Sequence, residues 1–161
     1  GAAPGRENCA AGRAWIMSLF HLLSVSASGL EAQRRRAEVL TENLANAETT
    51  RTSQGGPYRR KDVIFESAKA EQPFQSVFRS EIGAGVEGVR VADVVEDQRE
   101  PERRYVPGHP DADANGYVAF PRINPAEDMV DLLNTTRSYQ SNIAAMTAVK
   151  DMIQRSLDLL R

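Results

Sequence analysis

Asp111-Ala-Asp113-Ala-Asn115-Gly116 has the residue types of a calcium loop, with oxygen donors at alternate positions and a glycine where the chain must turn sharply. Val118 supplies the apolar eighth position, but the twelfth, where a bidentate carboxylate closes the coordination sphere, is Arg122. Pro107-Gly108-His109-Pro110 also bars a helix on the N-terminal side. The expected reading is a polar turn in which Asp and Asn side chains bond their own backbone, with a calcium-binding module through residues 111–116 as the lesser alternative. His109 stands beside Asp111 and Asp113, but the other histidine, His21, lies far away in sequence, and no HExxH spacing exists. No Gly-x-Ser-x-Gly elbow and no GxxxxGK[ST] loop is present. No catalytic residue, metal site, cofactor or small-molecule substrate is therefore expected, and Tyr58 and Tyr139 read as packing and interface anchors.

Charge and cysteine content narrow the classes further. The 161 residues carry 20 Lys+Arg against 22 Asp+Glu. A net charge of −2 argues against nucleic acid as a partner, because a phosphate backbone needs a clustered cationic surface. The charge is uneven: residues 1–61 hold 9 basic and 5 acidic side chains, and residues 62–161 hold 11 and 17. Such a split favours head-to-tail complementarity between copies. Cys9 is the only cysteine, so neither an intramolecular disulfide nor a CxxC site is available. No apolar run reaches the ~18 residues of a membrane-spanning helix. Residues 1–16 are rich in small residues and unpatterned, and read as a non-native N-terminal extension from a misplaced start, with Met17 the expected beginning. The stretch Ala14 to Leu23 is broken by Ser18 and His21, so a cleaved signal peptide is not expected.

What positions these residues is a pair of long helices. Phe20, Leu23, Ala27, Leu30, Arg34, Ala37, Thr41 and Leu44 follow the alternating three-and-four spacing of a coiled-coil seam, with Ser18 as the expected N-cap. Arg34-Arg35-Arg36 is flanked by Glu31, Glu38 and Glu42 and reads as a solvated face with i,i+4 ion pairs. Met129, Leu132, Thr136, Tyr139, Ile143, Met146, Lys150, Ile153, Leu157 and Leu160 repeat the spacing at the other end. Here Asn124 is placed to cap, Pro125 to occupy the first helical position and Glu127 to close a capping box. The helices would be roughly 40 and 55 Å long. Between them, Tyr58–Phe65, Val86–Val95 and Gly116–Phe120 read as strands, with turns at Gly55-Gly56-Pro57, Gly83-Ala84-Gly85 and Pro107-Gly108.

The expected fold class is α+β: long N- and C-terminal helices paired as an α-helical coiled coil, carrying a small β-rich inserted region. The expected segments are 1–16 (extension), 17–48 (first helix), 49–123 (β-rich insertion) and 124–161 (second helix, packing on 17–48). Leu22, Val25, Leu40, Val130, Leu133 and Val149 add apolar area beyond both seams, more than one pairing can bury, so contact with neighbouring chains is expected.

Three separated blocks then carry a resemblance. They are Ser28-Gly-Leu-Glu-Ala-Gln33 with Asn43-Leu-Ala-Asn-Ala-Glu-Thr49; Pro57-Tyr-Arg-Arg-Lys61 with Val63-Ile-Phe65; and Tyr105-Val-Pro-Gly-His-Pro-Asp-Ala-Asp113 with Gly116-Tyr-Val118. The last runs into Asn124-Pro125, Glu127-Asp-Met-Val-Asp131 and Arg137-Ser-Tyr-Gln140. From Met17 onward the chain resembles the axial rod and hook protein family of the bacterial flagellum, in its short proximal-rod type.

The resemblance implies a structural subunit of the basal-body rod that polymerises through its terminal helices, transmits motor torque and is needed for motility. It implies export through the flagellar type III apparatus without a cleaved signal, and residence in the rod crossing the periplasm. The implied partners are further copies, rod proteins of the FlgB, FlgF and FlgG type, the rod-base adaptor FliE and the export apparatus. Assembly contacts are expected at Leu23, Ala27, Leu30, Ala37 and Leu44 against Met129, Leu132, Tyr139, Ile143, Met146, Ile153 and Leu157. Asn43, Asn46 and Gln140 are expected to bond backbone at the helix junctions and so fix register. A coiled-coil adaptor is the alternative that two heptad helices leave open.

Overall fold

The computed structural model describes residues 6–68 and 88–158, with side chains over 22–67 and 88–158. Helix α1 runs Arg6–Ala45, strand β1 Lys61–Ala68, β2 Gly88–Glu96, β3 Glu102–Tyr105 and β4 Tyr117–Phe120, and helix α2 runs Pro125–Asp158. β1 pairs with β2, and β3 pairs antiparallel with β4, giving two two-stranded sheets among the described residues. The architecture is therefore mixed α+β.

The second helix begins where its local chemistry dictates. Asn124 Oδ1 accepts the Ala126 N–H at 3.2 Å, Asn124 O accepts the Asp128 N–H at 3.1 Å, and Pro125, which lacks an N–H, costs nothing at the first position. Glu127 and Asp128 occupy the first turn and Arg155 the last, each at the favourable pole of the helix dipole.

The first helix differs from its sequence reading. It begins at Arg6, not at Ser18, so Ser18 lies inside the helix and is not its N-cap. Arg6–Ile16 includes Ala, Arg and Glu, good helix formers that continue the helical backbone with no seam of their own. At the other end the Asn46 N–H is shared between Glu42 O at 3.1 Å and Asn43 O at 3.2 Å, and Asn46 Nδ2 also donates to Glu42 O at 2.9 Å, which tightens the last turn.

Strand β1 begins at Lys61, three residues after the expected Tyr58, because the Tyr58 N–H closes a turn onto Thr49 O at 3.0 Å. Gly55 and Gly56 sit in that turn at φ 85° and 79°, where side chains with a Cβ are strained. β2 begins at Gly88; the expected Val86 start and the Gly83–Gly85 turn lie outside the described residues. β3 (Glu-Arg-Arg-Tyr) was not expected at all: every residue in it is exposed, so no apolar alternation marks it. Its partner β4 supplies the pattern, with Val118 only 1% exposed.

The chain divides into two compact units. One comprises residues 33–65 and 91–138, and its core is Val39, Leu40, Tyr58, Val118 and Ile123 with buried Pro121. The other comprises, among the described residues, 6–32, 66–68, 88–90 and 139–158. In it Ala32 and Val149 are buried, Ser28 Oγ accepts the Val89 N–H at 3.1 Å, and Arg90 pairs with Glu66 at 2.8 Å. Here too α1 and α2 approach closely, since a Cβ on Gly29 would lie 3.0 Å from Asn142 Nδ2.

Substituting Asn124→Ala removes the cap of α2 and is expected to cost about 1 kcal/mol. A urea melt followed by circular dichroism checks this; an unchanged midpoint contradicts the capping role.

Candidate functional site

Asn43 organises the junction where α1 hands over to the strands. It is fully buried, at 0% exposure, in the last turn of α1. Its Nδ2 donates to Lys61 O at 2.8 Å, its Oδ1 accepts the Lys61 N–H at 2.9 Å, and the Tyr58 hydroxyl donates to the same Oδ1 at 3.0 Å. The amide thus reads both backbone groups of the first β1 residue, as a neighbouring strand would. Burial, and secondly the Glu42 carboxylate, push the Tyr58 phenol above its usual range, which keeps it a donor. Lys61 Nζ closes the node from outside by pairing with Glu42, and lies 5.7 Å from the Tyr58 ring centroid. Asn46 bonds α1 backbone and accepts from Thr49 Oγ1 at 3.1 Å. Gln140 is exposed on α2 and makes no such bond among the described residues.

A second tie in the same unit joins this junction to α2. Asp128 is 1% exposed, and Arg60 Nη1 stands 2.9 Å from its Oδ1. That contact is off the line of a hydrogen bond, so both buried Asp128 oxygens lack a hydrogen-bond donor, while Arg60 Nε donates to Asp62 at 3.3 Å. Burial pushes the Asp128 carboxyl up, Arg60 pulls it down, and Asp131, Asp62 and Glu127 push it up further; the net shift is upward. The sequence reading assigned Asp128 to the helix dipole alongside Glu127 and Asp131; nothing in residue type or spacing distinguished the buried one. Arg36 meets Asp131 at 3.8 Å beside a cleft of 170 Å3 also lined by Arg60, Lys61 and Asp62. That volume is below the range typical of small-molecule sites, and these charges are engaged with each other.

The Asp-rich loop is a folded turn. Asp113 Oδ1 accepts the N–H groups of Asn115 at 2.8 Å and Tyr117 at 3.0 Å, and these bonds hold its carboxyl below the usual range. Asp111 accepts from Thr50 Oγ1 at 2.8 Å and faces Arg51 at 3.9 Å, tying the loop to the segment after α1. The two acids of the loop, Asp111 and Asp113, are thus engaged by side-chain and backbone partners. Arg34 and Arg35 both pair with Glu38 at 3.1 Å; Arg35 turns to Glu38 and not, as expected, to Glu31.

The apolar positions of the helices divide in an informative way. On α1 the chain buries Ala32, Val39, Leu40 and Asn43, while Leu23, Leu30, Ala37 and Leu44 are half-buried and Ala27 is exposed. On α2 it buries Asp128, Thr135 and Val149, with Leu132, Met146 and Ile153 half-buried. Met129, Tyr139, Ile143 and Leu157 of the expected seam are exposed, together with Val130, Leu133 and Met152. The inward stripe of α2 is thus offset by one residue from the expected seam at alternate positions, 128, 135, 142 and 149 replacing 129, 136, 143 and 150. The Met129, Ile143 and Leu157 side of the seam faces outward, while its Leu132, Met146 and Ile153 side is half-buried.

Comparison with known proteins agrees in two segments and over most of the length. Residues 23–51 match the family described as flagella basal body rod protein, and residues 114–159 match the flagellar basal body rod FlgEFG protein C-terminal family. The flagellar basal-body rod protein FlgC of Bacillus subtilis (strain 168) is 44% identical over 150 residues, covering 89% of this chain and 99% of that protein. FlgC of Borreliella burgdorferi is 37% identical over 152 residues, covering 90% and 99%. FlgC of Salmonella typhimurium (strain LT2) is 38% identical over 143 residues, covering 89% and 98%.

Two outcomes follow from the junction. Asn43→Ala leaves the Lys61 backbone pair and the Tyr58 hydroxyl buried without partners and is expected to cost at least about 2 kcal/mol by urea titration; a loss under about 0.5 kcal/mol removes the node from its central place. For Asp128, a raised folded pKa means that the folded state binds the proton more tightly, so its contribution to stability falls as pH rises from the ordinary aspartate range through the raised value. Asp128→Asn is therefore expected to gain on the parent between about pH 4 and pH 7 in paired urea melts. The opposite slope contradicts the upward shift.

Proposed function

The chain belongs to the FlgC family of flagellar basal-body rod proteins and is a structural subunit of that rod; on that premise we propose that it polymerises through its two terminal helices and passes motor torque along the rod. The carrying observation is similarity over 99% of the length of the Bacillus subtilis relative. The function lies in packing and stiffness.

Pairing of α1 with α2 as a coiled coil is supported by the Gly29–Asn142 approach in one unit and the Arg36–Asp131 pair in the other. Assembly with neighbours is supported by what that pairing leaves uncovered. Met129, Val130 and Leu133, the last at 60% exposure, are exposed together on the first turns of α2, and exposed Ile143 and Leu157 recur at heptad spacing from Met129 on the same helix. Isolated apolar side chains on a surface need no explanation, but a helix-long stripe marks a face that another chain covers. Covering such a stripe by repetition along an axis gives a tube whose bending requires many packed side chains to move at once.

In this reading the neighbours are further copies, rod proteins of the FlgB, FlgF and FlgG type, and FliE at the rod base. The subunit is exported by the flagellar type III apparatus without a cleaved signal and resides where the rod crosses the periplasm. The expected contacts from α1 are Leu23, Ala27, Leu30, Ala37 and Leu44, and those from α2 are Met129, Leu132, Tyr139, Ile143, Met146, Ile153 and Leu157. No reaction is assigned to it.

The test places Met129→Asp/Leu133→Asp in cells lacking the parental copy. Both positions are exposed in the isolated chain, so the variant is expected to fold and be exported, while burying two carboxylates at a subunit contact abolishes swimming in soft agar. Normal swimming contradicts assembly through this face.

A further inference from the structure

The β3–β4 hairpin presents an outer face that the fold of its own unit does not use. Tyr105 stands opposite Tyr117 and Arg103 opposite Ala119 in the antiparallel register, and strand alternation places these four side chains on one face. The other face carries buried Val118, and Phe120 under the Arg104 guanidinium at 5.0 Å. On the outer face Tyr105 is 64% exposed, Tyr117 is 46% exposed, and their rings meet edge to face with centroids 5.5 Å apart.

These rings are exposed but held in place. Gly116, at φ 81°, lies so close under Tyr105 that a Cβ there would come within 2.9 Å of the ring, and Gly116 O accepts the Val106 N–H at 3.0 Å. Tyr117 is fixed through its backbone: its N–H bonds Asp113 Oδ1 at 3.0 Å, and its carbonyl accepts the Asp113 N–H at 2.9 Å. The Asp113–Gly116 turn, which imitates part of a calcium loop, thus serves to brace two tyrosines. Preordered aromatic rings beside an arginine make a surface that binds a partner at little entropic cost. Arg103 forms no salt bridge among the described residues, whereas Arg104 is engaged by Glu102 at 3.1 Å.

The complementary chemistry stands on the β1–β2 sheet. There Asp62 is paired with Arg60 and Glu66 with Arg90, which leaves Asp93 and Glu96 as the acids without a salt bridge among the described residues. Ile64 and Val95 are large apolar side chains exposed among those acids, and Asp93 forms no salt bridge among the described residues. We infer that the Arg103–Tyr105–Tyr117 face of one copy docks on the Ile64–Asp93–Val95 face of a second copy of this chain. The two patches differ, so the contact is heterologous and propagates in an open helical array. The inference rests on the rod-subunit reading above and adds a definite second contact to it, away from the helices.

The test replaces Tyr105 with p-benzoylphenylalanine in motile cells, irradiates assembled basal bodies and identifies the linked peptide. A crosslink between two copies, joining position 105 to residues 61–68 or 88–96, is expected. Arg103→Glu is expected to lower its yield about tenfold, and Asp93→Arg in the same chain to restore it. Solubility and the circular dichroism spectrum of purified Arg103→Glu establish that it folds. A crosslink to any other protein or region, no crosslink from assembled rods, or failure of the charge swap to restore yield overturns this contact. In each of those outcomes rods that still assemble leave the rod-subunit reading intact, whereas loss of assembly in Met129→Asp/Leu133→Asp reports on the helices alone.

Discussion

Everything in the larger-core unit depends on one buried amide. Asn43 offers Lys61 the donor and acceptor that a strand edge would offer, and so lets a helix end and a strand start share backbone hydrogen bonds without forming a sheet. A buried peptide group without a partner is costly, so the β1 entrance has one low-energy position against α1. The turn before it is then constrained at both ends: Tyr58 must reach Asn43 with its hydroxyl while its N–H reaches Thr49. An apolar side chain at position 43 would add contact area, but would allow the strand to slide by a residue and reverse its faces.

The Arg60–Asp128 contact extends that constraint to the second helix at a cost in stability. A buried carboxylate whose only close partner is off the line of a hydrogen bond is expensive, and apolar replacements of buried ion pairs are often neutral or stabilising. What the pair supplies is position. Arg60 immediately precedes the residue that Asn43 holds and Asp128 follows the cap that Asn124 sets, so the guanidinium links two points that are already fixed. In a subunit that must present the same faces to successive neighbours, such register matters more than one or two kcal/mol of stability.

The distribution of apolar surface follows the same logic. A chain of this length with two long helices and small sheets has more apolar stripe than its interior accommodates. One unit buries Val39, Leu40 and Thr135 and leaves Met129, Val130 and Leu133 outside, and the other buries Val149 and leaves Leu157 outside. In an isolated globular protein such surface is an aggregation hazard; in the rod reading proposed above it is surface left for a second chain to cover.

How much of this was legible in the residues differs from element to element. The start of α2 was fully legible, because capping is local: Asn, Pro and acidic residues act within one turn of themselves. The two helices, three of the four described strands and the backbone-bonding role of Asn43 were legible as well, the last through a motif resemblance. The whole family assignment rests on such motifs. β3 was not legible, because an all-exposed strand has no hydrophobic period and exists only because β4 lies beside it. Nor was the buried member among Glu127, Asp128 and Asp131, since three neighbouring acids on one turn look alike until a partner such as Arg60 arrives from elsewhere in the chain. The inward face of each helix had the same problem. A 3-4 spacing locates an apolar stripe, but adjacent stripes on a broad apolar helix differ by one residue, and only contact with the rest of the chain selects between them. The sequence by itself thus determined the family, the two helices and the cap of α2, which depend on short-range chemistry; the tertiary structure alone decided which stripe turns inward and which stays exposed, because burial is a property of pairs of surfaces.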